Sequence, residues 1–160
     1  MEYRKATLDD LNRSWDKEIS DNPDDSRYLR WKEQFIADNA SGAAATFMVI
    51  SDGEPVGQGT LLFSPEARAI RGRTCLCDGE TIANINALRI EETYEGWGHI
   101  SALMKTMEQY AKNIGITQLT IGVEAAETRN LGIYLHWGFT KFLMAESEDG
   151  ELVLYYGKDI

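Results

Sequence analysis

The chain has 160 residues, with 16 Lys and Arg against 26 Asp and Glu for a net charge of −10, 43% hydrophobic residues and two cysteines. That length suits a single domain, residues 1–160, around one hydrophobic core. Its four forty-residue quarters carry −3, −2, −1 and −4, so no basic half or tail is present to hold nucleic acid, while the acidic surface attracts cationic small molecules or basic peptides and equally serves plain solubility.

Tyr3 to Ala6 reads as a short strand, and Thr7-Leu8-Asp9-Asp10 supplies a hydroxyl cap and early carboxylates for a helix reaching about Ile19. A second helix is predicted from near Asp24-Asp25-Ser26 to Ser41-Gly42, with Leu29, Phe35 and Ile36 at helical spacing. Ala45 to Ser51 and Pro55 to Phe63 flank Asp52-Gly53, a pair that accepts positive φ at both turn positions, and so form a hairpin. Ser64 to Glu80 has no clean period and is read as a connection with room for an extra strand. Thr81 to Ile90 is a strand; after an acidic link, Gly98 opens a helix whose Ile100, Leu103, Met104, Met107, Ala111 and Ile114 make one apolar stripe ending at Gly115. Leu119, Ile121 and Val123 alternate as a strand, Thr128 to His136 is a short helix closed by Gly138, and Phe139 to Met144 and Glu151 to Tyr156 flank Asp149-Gly150 as a last hairpin. The order β-α-α-β-β-β-α-β-α-β-β describes an α/β (α+β) mixed sheet with helices on its faces and one or two parallel crossovers.

The N-terminal Met1-Glu2-Tyr3-Arg4-Lys5 has no apolar signal core, and the longest apolar run, Ala43 to Ile50 with Thr46 inside, is too short to cross a bilayer, so a cytoplasmic chain without a membrane partner is expected. Cys75 and Cys77 have only His99 and His136 as companions and no second cysteine pair, which predicts reduced thiols and no metal.

Chemistry concentrates between Ala87 and Ser101. A strand there leads through a loop containing Gly96 and Gly98 to a helix N-terminus, where backbone N–H groups and the positive dipole end can bind phosphate oxygens; the same glycines also suit a bare tight turn. Gly96-x-Gly98-x-x-Ser101 approximates a dinucleotide fingerprint, with Glu124 lying 26 residues beyond Gly98 where a ribose-binding acid would fall. Against that oxidoreductase alternative, Glu91 to Glu95 separate strand from glycines, and few residues remain for a doubly wound sheet.

The same residues resemble the GNAT family of N-acetyltransferases over nearly the whole length. That family's loop, Gln/Arg-x-x-Gly-x-Gly/Ala, falls on Glu95, Gly98 and Ile100, with Leu103 at the following helix leucine; Gly98 matches strictly. Its second signature begins at Val123 and ends in Tyr134-Leu135-His136-Trp137-Gly138-Phe139, with Glu127 standing where asparagine is frequent and Asn130 one turn later. Val56-Gly57 and the terminal Tyr156 to Ile160 are similar to the family's third and last strands.

The resemblance implies a mixed sheet with an antiparallel N-terminal part, two splayed parallel central strands and about four helices, with acetyl-CoA as cosubstrate and no metal. Cofactor contacts would fall on Leu88, Ile90, Glu95, Gly96, Trp97, Gly98, His99, Ile100, Ser101, Glu127, Asn130 and Tyr134. A primary amine, from a small molecule or a peptide, would attack the thioester directly in a ternary complex, and Tyr134 would protonate the departing thiolate, their reference pKa values being about 10 and about 8.5. Some family members carry a glutamate base where Asn84 stands here; Asn84 and Asn86 are then acceptor hydrogen-bonding candidates, and Glu80, Glu124 and Glu127 are alternative proton acceptors. Trp15, Tyr28 and Trp31 lie in the two helices that cover the acceptor cleft in the family and would either wall a cationic substrate or pack a core. A homodimer is compatible with the resemblance, and a non-catalytic acyl-CoA-binding or interaction module is the other alternative.

Overall fold

A computed structural model describes all residues, Met1–Ile160. The elements are β1 (Glu2–Lys5), α1 (Leu8–Asp21), α2 (Arg27–Ser41), β2 (Ala44–Ser51), β3 (Glu54–Leu62), β4 (Ile82–Ile90), a single 3-10 turn (Glu92–Tyr94), α3 (His99–Asn113), β5 (Gln118–Glu124), α4 (Thr128–His136), β6 (Lys141–Glu148) and β7 (Glu151–Asp159). Seven strands form one sheet in the order β1-β2-β3-β4-β5-β7-β6. The β4/β5 pair is parallel, whereas β1/β2, β5/β7 and β6/β7 are antiparallel. This mixed sheet lacks the run of parallel strands that a doubly wound dinucleotide fold requires, which removes the oxidoreductase alternative.

By contacts the chain divides into two compact units, Met1–Leu61 with Ala87–Met107, and Leu62–Asn86 with Glu108–Ile160. It passes between them inside β3, inside β4 and inside α3.

In the first unit, the Thr7 hydroxyl accepts from the Asp10 N–H while the Asp10 carboxylate accepts from the Thr7 N–H, closing a capping box that starts α1. Arg4 adds a 2.6 Å bond to the buried Asp10. Burial alone would raise the Asp10 pKa, but the Arg4 and Thr7 bonds outweigh it and hold the carboxyl below its ordinary range. Leu11, Met48 and Ile50 pack with Ala6 and Ile36, and Trp15 stacks on Phe35 at 5.2 Å. Asn39 fastens α2 to β2, accepting from the Thr46 N–H and donating to the Thr46 hydroxyl. Asp52 and Gly53 take φ of 49° and 81°, the conformation that the Asp-Gly hairpin signal demands.

In the second unit, residues 64–80 form successive turns and no strand, because Pro65 and the positive φ of Arg71, Gly72 and Gly79 interrupt any ladder; Ile70, Leu76 and Cys77 nonetheless enter the core. Asp78 Oδ1 accepts from the N–H groups of Glu80, Thr81 and Ile82 and so launches β4. Arg73 lies over the Tyr155 ring at 4.8 Å and bonds Glu146 and Glu148, while the Tyr155 hydroxyl donates to Glu148. The last hairpin is offset from the sequence reading: Phe139 precedes β6 and is buried as an anchor after α4, and β6 and β7 run on to Glu148 and Asp159.

Candidate active site

Parallel pairing of β4 with β5 runs from Ile82↔Gln118 to Ile85↔Ile121 and stops. Two residues later Ala87 has φ of 52°, left-handed backbone inside a strand, which breaks the ladder as a bulge does. Leu88 and Ile90 lie beyond that break and are half-buried. They face β3 at close range: a Cβ on Gly57 would stand 3.1 Å from both the Arg89 carbonyl oxygen and Ile90 Cγ1, and one on Gly59 would stand 2.9 Å from Leu88 Cδ1. Glycines at these two β3 positions let the outer half of β4 approach.

The chain leaves β4 through the Glu91 N–H, which donates to the Val56 carbonyl at 2.9 Å, and makes one 3-10 turn. Gly96 and Gly98 then adopt φ of 77° and 82°, with nothing within 4 Å of a Cβ at either position. Backbone conformation and open space therefore explain both glycines. The Gly98 carbonyl receives the Ala102 N–H as α3 begins, and the N–H groups of this first turn have no intrahelical acceptor, as at any helix start. Glu95 is exposed, Trp97 is 78% exposed, and His99, Ile100 and Ser101 are half-buried. The His99 ring is fixed on both sides: Nδ1 lies 2.8 Å from the Tyr3 hydroxyl and the Tyr94 ring meets it edge-on. In the same unit Tyr28 and Trp31 of α2 pack edge to face at 4.9 Å, and Arg27 covers the Trp31 ring. Tyr28 and Trp31 are half-buried, whereas Trp15 is 2% exposed and belongs to the core.

In the second unit, Asn84 is buried and its amide donates to the Thr120 hydroxyl at 3.0 Å, which itself donates to the Leu76 carbonyl. Asn84 is thus spent on holding β4 to β5, while Asn86 is half-buried. Glu124 is exposed at the end of β5, and Glu80 is exposed before β4. Asn130 donates to Glu127 at 2.6 Å across the first turn of α4. Tyr134 is half-buried with its ring 5.8 Å from that of Trp137. Burial and then the Glu127 charge raise the Tyr134 pKa above the ordinary tyrosine value, which keeps its proton in place. The turn after α4 is closed by the Phe139 N–H donating to the Tyr134 carbonyl, with Gly138 at φ of 98°. That closure is why the Tyr-x-x-x-Gly-Phe spacing was readable in the sequence.

Two features had no such signal. Arg89 is a cation between apolar strand residues and lies over the Trp15 ring at 4.5 Å, and Ala87 is an ordinary alanine at a left-handed position. A concavity of about 520 Å³ lined by residues 21–27 sits at the α1–α2 turn and includes none of the residues singled out.

The Acetyltransferase (GNAT) family model matches residues 5–139. No protein of curated function matches the chain by sequence. Among solved structures, a ribosomal-protein-alanine N-acetyltransferase from Brucella melitensis superposes with a TM-score of 0.74 at 14% identity over 100% of both chains. A spermidine N-acetyltransferase SpeG chimera from Vibrio cholerae and hSSAT gives 0.71 at 16% identity over 99% of this chain and 96% of that one. A GNAT family acetyltransferase from Elizabethkingia anophelis with acetyl-CoA bound gives 0.56 at 17% identity over 78% and 82%.

Proposed function

Because the chain belongs to the acetyltransferase (GNAT) family and is therefore an N-acetyltransferase using acetyl-CoA, we propose that its own residues divide the work as follows. The backbone of Gly96 to Ser101 at the start of α3 receives the diphosphate, and Leu88 and Ile90 offer strand backbone to the pantetheine arm. The observation that carries this assignment is the left-handed glycine turn at Gly98 directly before the start of α3, with nothing within 4 Å of where a Cβ would stand. Glu95 is the charge next to the glycines, after Glu91 and Glu92, and opposes a diphosphate, so the attraction comes from backbone dipoles.

Acetyl-CoA supplies an acetyl thioester with a thiolate leaving group. Tyr134 O–H gives its proton to that sulfur, a role that its raised pKa suits because the phenol stays protonated across neutral pH. Glu127 contributes negative charge that disfavours the phenolate. The attacking amine sheds its proton to water or to Glu124 or Glu127, the carboxylates between β5 and the start of α4. Positioning of the amine accounts for much of the rate. Asn86, Tyr28 and Trp31 are proposed on the acceptor side, and Asn130 reaches the cofactor only through Glu127.

The acceptor is proposed to be a primary amine of a small molecule or peptide, in line with the spermidine and ribosomal-protein alanine of two structural neighbours. No helix of the chain is long and apolar enough to cross a membrane, and a cytoplasmic location is proposed with it. A homodimer is proposed as well and is checked by light scattering.

Two measurements test the reading. Acetyl-CoA and CoA, and not NADH, should raise the melting temperature, since a ligand of the native state adds RT ln(1 + [L]/Kd) to stability; silence from CoA and acetyl-CoA would remove the cofactor assignment. Tyr134→Phe should lower kcat about a hundredfold or more while leaving acetyl-CoA stabilisation intact. Unchanged turnover would take the acid role from Tyr134.

A further inference from the structure

From Glu91 to Ser101 the chain carries three carboxylates, Glu91, Glu92 and Glu95, and one side chain able to hold positive charge, His99. The imbalance matters because a diphosphate brings further negative charge to the start of α3, where Glu95 already opposes it. His99 is the first residue of that helix. Side chains of a helix lean toward its N-terminus, so the half-buried imidazole lies over the end at which the first-turn N–H groups are directed.

The ring is held there by the first strand. Arg4 of β1 turns to Asp10 of α1, so its neighbour Tyr3 projects to the opposite face, and there the Tyr3 hydroxyl stands 2.8 Å from His99 Nδ1. The Tyr94 ring meets the imidazole from another side at 64°, with centroids 6.2 Å apart. The second ring nitrogen, Nε2, has no hydrogen-bond partner in the protein. It is open to solvent, unlike the unpaired side-chain atoms that the fold seals, Arg13 Nε, Trp15 Nε1, Gln58 Nε2 and Arg89 Nη2.

The bond at Nδ1 decides what Nε2 presents. When the Tyr3 hydroxyl donates to Nδ1, the neutral ring carries its proton on Nε2; when the ring is an imidazolium, Nδ1 donates to the Tyr3 oxygen and Nε2 is still protonated. Both forms show an N–H to an anion. The remaining tautomer, with a lone pair on Nε2, is disfavoured by an anion beside it.

We propose that His99 binds the diphosphate of CoA by donating from Nε2 beside the first-turn N–H groups of α3, and that Tyr3 is the positioning residue which fixes the ring and its proton. The proposal rests on the assignment of the diphosphate to the Gly96–Ser101 backbone. It goes beyond that assignment in naming a side-chain donor and in giving β1 a part in holding the cofactor.

The test measures affinity by calorimetry for CoA, for dephospho-CoA, which keeps the diphosphate and lacks the ribose phosphate, and for pantetheine, which lacks every phosphate. His99→Asn, whose amide overlies Nδ1 and stops short of Nε2, should weaken CoA and dephospho-CoA about tenfold and leave pantetheine unchanged. His99→Gln reaches the Nε2 position and should recover part of that loss. Tyr3→Phe should cost CoA and dephospho-CoA about threefold and pantetheine nothing. In turnover, His99→Asn should raise KM for acetyl-CoA and leave kcat nearly unchanged, because the bond is made equally before and during the reaction. The chain has two histidines, His99 and His136, so nitrogen NMR of the unaltered protein, assigned with His136→Gln, reads the ring even if the variants at His99 do not fold. Its Nε2 resonance should move with CoA and dephospho-CoA and stay still with pantetheine. Unchanged CoA affinity in His99→Asn, equal losses on CoA and pantetheine, a loss seen with CoA and not with dephospho-CoA, or an Nε2 resonance that ignores CoA would each overturn the proposal while leaving the diphosphate at the start of α3. Wild-type protein that binds CoA no better than pantetheine would overturn the diphosphate assignment itself, and the proposal with it.

Discussion

The two halves of β4 are built from similar residues and behave differently. Ile82 to Ile85 pairs in parallel with β5, and its one polar side chain, Asn84, is buried and bonded to Thr120. Ala87 to Ile90 begins with a left-handed residue, is half-buried throughout and holds the Arg89 guanidinium, which lies over Trp15 and 3.4 Å from Glu18. One half spends its polar side chain on the sheet, whereas in the other the pairing with β5 has ended. A strand can do both because its pairing with β5 ends at Ile85 and its backbone turns left-handed at Ala87.

That contrast is broken most severely from the inner half. Asn84→Leu should cost about 1–3 kcal/mol in chemical denaturation through the lost Thr120 bond, with kcat per folded molecule nearly unchanged; a large kcat loss in folded protein would return Asn84 to the acceptor. Gly98→Val works on the loop after the outer half, where φ of 82° strains a β-branched residue and its side chain fills the open space, so CoA should bind roughly tenfold more weakly. Unchanged affinity would move the diphosphate elsewhere. Ala87→Gly relieves the left-handed strain and should change stability by no more than about 1 kcal/mol, toward greater stability, with a looser outer half seen as faster amide exchange at Leu88 to Ile90. Glu95→Gln is the mildest change: removal of an exposed charge should raise CoA affinity by a few tenths of a kcal/mol at low salt and by less at high salt.

Much of this was legible in the amino-acid order. Thr7 and Asp10 announced a cap that formed as a full capping box, both Asp-Gly pairs became hairpin turns with positive φ, and Thr128 to His136 is α4 residue for residue. These are local devices, specified by neighbours along the chain. The segment 64–80 was not legible because its order comes from distant partners, Arg73 reaching Glu146 and Glu148, which no short-range period encodes. The candidate site was partly legible for the same reason. Gly98 and Tyr134 sit in spaced signatures, but the capture of Asn84 by Thr120 and of Asn130 by Glu127 depends on which side chains meet after folding. Arg89 offered only the anomaly of a charge between Leu88 and Ile90, and its partners, Trp15 and Glu18, come from α1.

The threefold passage of the chain between its two compact units carries a consequence for synthesis. The first unit takes in Ala87–Met107, so the first 61 residues leave the ribosome well before the segment that completes it has been made. During that interval the apolar strand Ala44–Ser51, almost wholly buried in the finished protein, waits with its neighbour beyond β3 still untranslated. Domains usually fold as units once their parts are present, and exposed strand edges invite misassembly in the meantime. Neither unit can be released by a single cut, so the chain is expected to gain its stability late and in one cooperative step.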